Sequence, residues 1–151
     1  MKRKWEIEKL KDSKTFKKSA NVILINRIES LLLCINNYFK DLSVESLHDV
    51  RIALRRVRYS MELFIVCYDK KIFSRFYNNV QLLQDLSGNV RDVDISLENY
   101  NSLVNEDNIK INEEVILKAN QKKMALEENF KLELMKFTLS KVLKDFLKQL
   151  T

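Results

Sequence analysis

The chain contains no proline and only one glycine and one histidine among its 151 residues. Tight turns draw on glycine and proline, so this scarcity excludes folds built from many strands and turns. A glycine-rich phosphate loop needs several glycines, which Gly88 alone does not supply. One histidine also excludes a zinc or two-metal site built from several histidines. The sequence therefore predicts one all-α domain that is large enough to bury a core.

Long uninterrupted apolar runs are also missing. The longest apolar stretches, 22–25 and 31–35, are separated by polar residues and fall short of the roughly 18 residues that span a membrane. The basic N-terminus lacks the apolar centre of a signal peptide. Cys34 and Cys67 fall within apolar helical patterns, which is typical of buried, reduced thiols. We therefore expect a cytoplasmic protein with no membrane partner.

Apolar residues recur at intervals of three and four in four segments, which is the period of amphipathic helices. The predicted helices span about residues 15–39, 45–68, 72–103 and 112–150, with Ser43 or Ser46 as the N-cap of the second. The apolar face of the fourth shifts near residues 138–140, which predicts a bend. Residues 1–14 are expected to form a basic arm or a frayed helical turn, and residues 15–151 the domain. Short polar links predict an antiparallel four-helix bundle.

Positive charge exceeds negative charge by six, and it is concentrated in particular segments. Residues 1–18 hold eight Lys and Arg against three acids, and residues 48–58 hold four Arg against one Asp. Residues 118–151 hold eight Lys against four acids, whereas residues 76–117 hold two basic residues against eight acids. This uneven distribution favours an anionic partner.

The second predicted helix carries the most informative group of basic residues. At about 100° per residue, four of them fall within an arc of about 80° beside the apolar face: His48, Arg51, Arg55 and Arg58. Arg56 points elsewhere, and only Glu62 continues the stripe with an opposite charge. Arginine presents forked donors that match phosphate or carboxylate oxygens, and histidine adds another donor. The stripe is either a solvated face whose Arg stems cover apolar surface or an oxyanion site.

Four further basic residues lie on or beside the apolar faces of other helices: Arg27 and Lys17 in the first, Lys122 and Lys123 in the fourth. A buried unpaired charge is too costly to retain, so these residues pair with acids, extend to the bundle surface or line a wet groove. For Arg27 the mid-helix position favours an ion pair or a functional role. For Lys17 and Lys122 the pattern favours a structural role. All four are included among the candidate anion-binding residues.

Two sequence blocks resemble the signature of the CHAD family, the conserved histidine α-helical domains. The first runs His-Asp-Val-Arg-x-Ala-Leu-Arg-Arg-Val-Arg from His48 to Arg58 and is followed by Leu63-Phe64. The second is Leu86-Ser87-Gly88-Asn89-Val90-Arg91-Asp92-Val93-Asp94. Both blocks appear in the order and at the separation that the family shows.

The resemblance implies one CHAD-like four-helix repeat that binds inorganic polyphosphate. The residues that match the binding positions of the family are His48, Arg51, Arg55, Arg58 and Arg91. Asp92 and Asp94 are expected to orient the arginines, and Gly88 to serve packing or a bend. The chain offers no nucleophile with a paired base and no further histidine ligands, so we expect no enzyme activity, no metal and no cofactor.

The chain departs from the family pattern in two respects. Where the third helix of the family often carries Lys or Arg before the glycine block, this chain has Asn78, Asn79 and Gln81. Family members commonly contain two four-helix repeats that face each other, whereas this chain is long enough for one. A symmetric homodimer would restore the second half, or the chain is a reduced or decayed copy. Association with polyphosphate granules is a further expectation.

Two other functions fit the same residues. A nucleic-acid-binding helical protein would use the Arg stripe and the basic arm, with Trp5, Tyr59 and Tyr77 as the aromatic residues free for stacking. A purely structural dimerisation bundle would use neither feature. Most aromatic residues follow core positions, which favours a compact anion over nucleic-acid bases.

Overall fold

The computed structural model describes residues 15–151, and these residues form an all-α structure. The helices are α1 (Phe16–Asp41), α2 (Val44–Leu63), α3 (Lys70–Asn105), α4 (Glu113–Thr138) and α5 (Lys141–Leu150), with a 3-10 turn at Ile65–Cys67. Residues 15–151 contain no strand, which confirms the predicted fold class. The predicted basic arm, residues 1–14, lies outside the described residues.

Each helix begins where a polar side chain accepts a hydrogen bond from a first-turn amide. The Ser43 hydroxyl oxygen accepts from the Ser46 amide at 3.0 Å, which makes Ser43 the N-cap of α2. Ser46, the other candidate cap, is buried and donates its hydroxyl to Asp41 Oδ1 at 2.6 Å. α2 ends at Leu63, five residues before the predicted end at Tyr68, because the chain tightens there into the 3-10 turn.

The predicted fourth helix is two helices rather than one bent helix. α4 ends at Thr138, and Ser140 caps α5 by accepting a hydrogen bond from the Leu143 amide at 3.2 Å. The break falls where the apolar pattern changes phase. It allows Phe137 of α4 and Phe146 of α5 both to be buried, which a straight helix with this change of phase would prevent.

The helices pack in a closed ring. α1 packs on α2, α2 on α3, α3 on both α4 and α5, and α5 returns to α1. α4 and α5 together therefore take the place predicted for the fourth helix. The short loop between α1 and α2 makes these two helices antiparallel. Aromatic rings join the helices in the core, where Phe76 of α3 stacks on Phe146 of α5 with ring centroids 4.5 Å apart.

Within residues 15–151, α1 is the one helix that is long and apolar enough, by length and composition, to cross a membrane. The expectation that no segment spans a membrane considers uninterrupted apolar runs. Mean hydropathy along the helix also includes the polar residues between those runs. Core helices of soluble proteins meet the same criterion. α1 packs one row of residues into the protein core: Ala20, Leu24, Ile28, Leu31, Ile35 and Tyr38. Helix packing therefore accounts for part of its apolar composition, since 28% of the apolar window of α1 is buried.

Two expectations about single residues need correction. Cys34 and Cys67 are free thiols, as expected, but both are half-buried instead of buried. Gly88 lies inside α3, where an added Cβ would meet no atom within 4 Å. The expected packing role of Gly88 is therefore wrong, because no neighbour approaches closely enough to require the absence of a side chain.

Candidate anion-binding site

The predicted basic stripe lies along α2, beside the face that holds this helix in the core. The buried residues of that face are Ser46, Leu47, Val50, Ala53, Leu54, Val57 and Met61. Next to them, Arg51 and Arg58 are half-buried, whereas His48 and Arg55 are exposed. The stripe therefore extends from solvent toward the boundary between α2 and α3.

A cleft of about 410 Å³ brings three of the sequence-predicted residues together. His48 and Arg51 of α2 face it with Arg91, which comes from α3 and from the second sequence block. Two carboxylates, Glu45 and Asp49, also line the cleft. Two guanidinium groups and an imidazole from distant parts of the sequence thus surround one space, which is large enough for several phosphate groups.

Arg51 lines the cleft close to two other positive charges. Burial lowers the pKa of Arg51, and the nearby charges of Arg55 and Arg91 lower it further, against a smaller opposing effect of Asp92. In residues 15–151, no carboxylate oxygen lies within 4.0 Å of the Arg51 or Arg55 guanidinium. The three guanidinium groups repel one another, and an anion placed among them would relieve that repulsion.

Arg58, the fourth member of the stripe, is engaged by protein groups. Its Nε donates to Glu62 Oε1 at 3.1 Å and to the Tyr77 hydroxyl at 3.2 Å, and its Nη1 donates to Gln84 Oε1 at 3.3 Å. The Tyr77 hydroxyl in turn donates to Glu62 at 2.6 Å. Hydrogen bonding with Tyr77 raises the pKa of Arg58 and lowers the pKa of Glu62. Arg58 therefore links α2 to α3, and Glu62 offsets its charge.

Arg27 lies apart from the cleft. This half-buried residue of α1 is beside Arg56 of α2, and burial followed by the Arg56 charge lowers the pKa of Arg27. Arg56 points away from Arg51 on the helical wheel and therefore does not belong to the predicted stripe. Its proximity to Arg27 depends on how α1 packs against α2, and no signal in the sequence identifies that contact.

The predicted lysines occupy three separate places. Lys123 Nζ lies 2.7 Å from Asp94 Oδ1 and 3.8 Å from Glu127 Oε1, so its charge is paired. Lys122 is exposed and lines a second cleft of about 350 Å³ with Asn89, Asp92, Val93, Ser96 and Leu126. Lys17 is exposed in the first turn of α1. The structure therefore does not bring these lysines into the cleft with Arg51.

Arg91 has one ion pair, with its Nη1 at 3.4 Å from Glu98 Oε1. Exposed pairs of this length are weak, so Arg91 remains available to a ligand. Asp94 is buried against Lys123 and does not contact the arginines, whereas Asp92 acts electrostatically on Arg51. Asp94, one of the two acids expected to orient the arginines, thus pairs with Lys123 instead.

Comparison with known proteins gives one match. The family model described as CHAD domain matches residues 4–100, which include α1, α2 and most of α3. The match covers both sequence blocks and both helices that supply the cleft. Neither the curated proteins nor the solved structures contain a match to this chain.

Proposed function

This chain belongs to the CHAD family, and we propose that it binds inorganic polyphosphate, or a similar polyanion, without catalysing a reaction. CHAD domains are associated with the binding of polyphosphate and triphosphate. The proposed binding surface is the groove between α2 and α3, with His48, Arg51 and Arg91 in its cleft and the exposed Arg55 one helical turn after Arg51.

The observation that carries this proposal is the juxtaposition of Arg51 and Arg91 in one cleft. The two guanidinium groups come from different helices, and both matched positions belong to the sequence blocks of the family. Like charges held this close lower stability unless a ligand offsets them. Arginine provides planar, paired donors for the oxygens of successive phosphate groups.

Binding would follow from electrostatics and requires no bond-breaking step. Polyphosphate carries repeated negative charges along a flexible chain, and each arginine that neutralises a phosphate releases condensed counterions. Affinity should therefore fall steeply as salt rises. Arg58 would contribute less than its neighbours, because Glu62 already offsets its charge.

The positions of the aromatic residues favour polyphosphate over nucleic acid as the ligand of the groove. Tyr59 is exposed, but the Tyr77 ring stacks on Phe73 at 6.3 Å between centroids and its hydroxyl is bound to Glu62. Among residues 15–151, the groove thus lacks the row of free aromatic rings that single-stranded nucleic acids use.

We further propose that the protein acts in the cytoplasm, associated with polyphosphate granules, and as a homodimer. A second copy would supply the second repeat that family members commonly carry in one chain. Light scattering at high protein concentration, with and without polyphosphate, tests the dimer. A monomer under both conditions would refute it.

The decisive experiment compares the binding of long-chain polyphosphate, single-stranded RNA and duplex DNA at two salt concentrations. The double variant Arg51→Ala/Arg55→Ala should lose most of the polyphosphate affinity. The control Arg75→Ala/Lys144→Ala removes the same charge from two exposed positions outside the stripe and should bind nearly as the wild type. Equal binding of all three polyanions, with equal losses in both variants, would overturn the proposal.

A further inference from the structure

Gly88 lies on the side of α3 that faces the basic stripe. Gln84, Gly88 and Arg91 follow one another at intervals of four and three residues, so they share one side of the helix. Gln84 accepts a hydrogen bond from Arg58 at 3.3 Å, and Arg91 lines the cleft with Arg51. The side of α3 that carries Gly88 therefore borders the groove between α2 and α3.

The same contacts fix the register of the two helices. Arg58 of α2 meets Gln84 of α3, and Arg51 shares the cleft with Arg91, so the helices run antiparallel along the groove. Arg55 lies between Arg51 and Arg58, as Gly88 lies between Gln84 and Arg91. This register places Gly88 across the groove from Arg55.

Nothing in the protein itself requires glycine at this position. Gly88 has no positive φ, and an added Cβ would meet no atom within 4 Å. Glycine inside a helix is unfavourable relative to alanine because its backbone loses more conformational freedom on folding. The residue thus weakens α3 without relieving any steric contact in the described structure.

We infer that Gly88 keeps a seat open for one phosphate group of the bound chain, opposite Arg55 in the α2–α3 groove. The absence of a side chain leaves room for a phosphate to lie against α3 while its oxygens face the Arg55 guanidinium. The seat continues the cleft of Arg51 and Arg91 along the groove, so a linear chain of phosphates would pass from one to the other. This inference rests on the proposed polyphosphate binding.

The test fills the seat without changing any charge. Gly88→Leu introduces a side chain whose Cβ meets no atom within 4 Å, and Asn78→Leu adds the same side chain at an exposed position of α3 away from the groove. Both variants and the wild type are titrated with long-chain inorganic polyphosphate at one ionic strength. Thermal denaturation reports folding.

We expect Gly88→Leu to remain folded, with a melting temperature no lower than that of the wild type, and to bind polyphosphate about ten-fold more weakly, as for the loss of one charge-assisted contact. Asn78→Leu should bind as the wild type does. The smaller variant Gly88→Ala serves if Gly88→Leu does not fold. Its loss should be smaller than ten-fold but larger than that of Asn78→Leu.

The outcomes separate this inference from the function on which it rests. Absence of binding by the wild type would overturn both. Wild-type binding that Arg51→Ala/Arg55→Ala abolishes, together with unchanged binding by a folded Gly88→Leu, would overturn the seat alone. Equal losses in Gly88→Leu and Asn78→Leu would also overturn it, because the effect would then not depend on the groove.

Discussion

Lys123 Nζ of α4 lies 2.7 Å from Asp94 Oδ1 of α3. The Asp94 side chain is 7% exposed and the Lys123 side chain 31%, so loss of the ammonium would leave a buried carboxylate without its counter-charge. We predict that Lys123→Met lowers the free energy of unfolding by about 2 kcal/mol, the cost of such a buried charged group. Urea unfolding at neutral pH measures the change. Lys122→Met, one residue away and exposed, should change stability by less than about 0.5 kcal/mol.

The same ion pair predicts a specific dependence on pH. Contact with the Asp94 carboxylate raises the pKa of Lys123 above its ordinary value of 10.5. Its stabilising contribution is therefore fully present below pH 10.5 and is lost as the pH rises through the higher pKa of the folded state. The difference in unfolding free energy between the wild type and Lys123→Met should stay constant from pH 7 to 10 and shrink above it. A difference that shrinks already between pH 7 and 9 would contradict the assignment.

Gly88→Ala should raise the free energy of unfolding by about 1 kcal/mol, the helix-propensity difference between the two residues. The added methyl group meets no atom within 4 Å, so no steric cost opposes the gain. Chemical denaturation of the ligand-free protein measures it. A loss of stability would show that glycine is needed for folding, for instance to allow a bend of α3.

The sequence identified much of the fold because helical periodicity and caps are local. The arc of His48, Arg51 and Arg55 follows directly from residue spacing, and the structure places these residues along one helix. The change of apolar phase near residue 139 is visible in the sequence. A phase change does not distinguish a bend from a break, and the structure has a break, after which Ser140 caps the start of α5.

The sequence alone does not predict which side chains of different helices contact one another. Arg58 is separated from Tyr77 by 19 positions and from Gln84 by 26, and both partners are ordinary polar residues of an amphipathic helix. Their meeting depends on the rotation of α3 against α2. The same reason applies to Arg27 and Arg56, since their proximity depends on how α1 lies on α2.

The slope of log affinity against log salt concentration should report how many arginines contact phosphate groups of bound polyphosphate. For a flexible single-stranded polyanion, each contact contributes about 0.7 to the slope of log affinity against log salt concentration. Arg55→Ala should therefore reduce the magnitude of that slope by about 0.7, whereas Arg75→Ala, on an exposed face of α3, should leave it unchanged. Titrations at four or more salt concentrations give the slopes. A smaller affinity with an unchanged slope would show that Arg55 acts on the fold and not on the ligand.

Glu62 is predicted to restrain binding, because its carboxylate offsets the charge of Arg58 at 3.1 Å. Replacement by glutamine removes that charge while Tyr77 and Gln84 still hold the guanidinium in place. Since the pair is half-exposed, its removal should change binding by roughly 0.5–1 kcal/mol, so Glu62→Gln should bind polyphosphate about two- to five-fold more tightly.

The matched control for this change is Glu133→Gln, which removes one negative charge from an ion pair with Lys136 at 3.3 Å on α4. Titration of both variants at the same ionic strength separates a local effect from an effect of net charge. If both bind more tightly by the same factor, net charge alone is responsible. If only Glu62→Gln gains affinity, the charge of Arg58 contributes to the groove, and Glu62 reduces that contribution in the wild type.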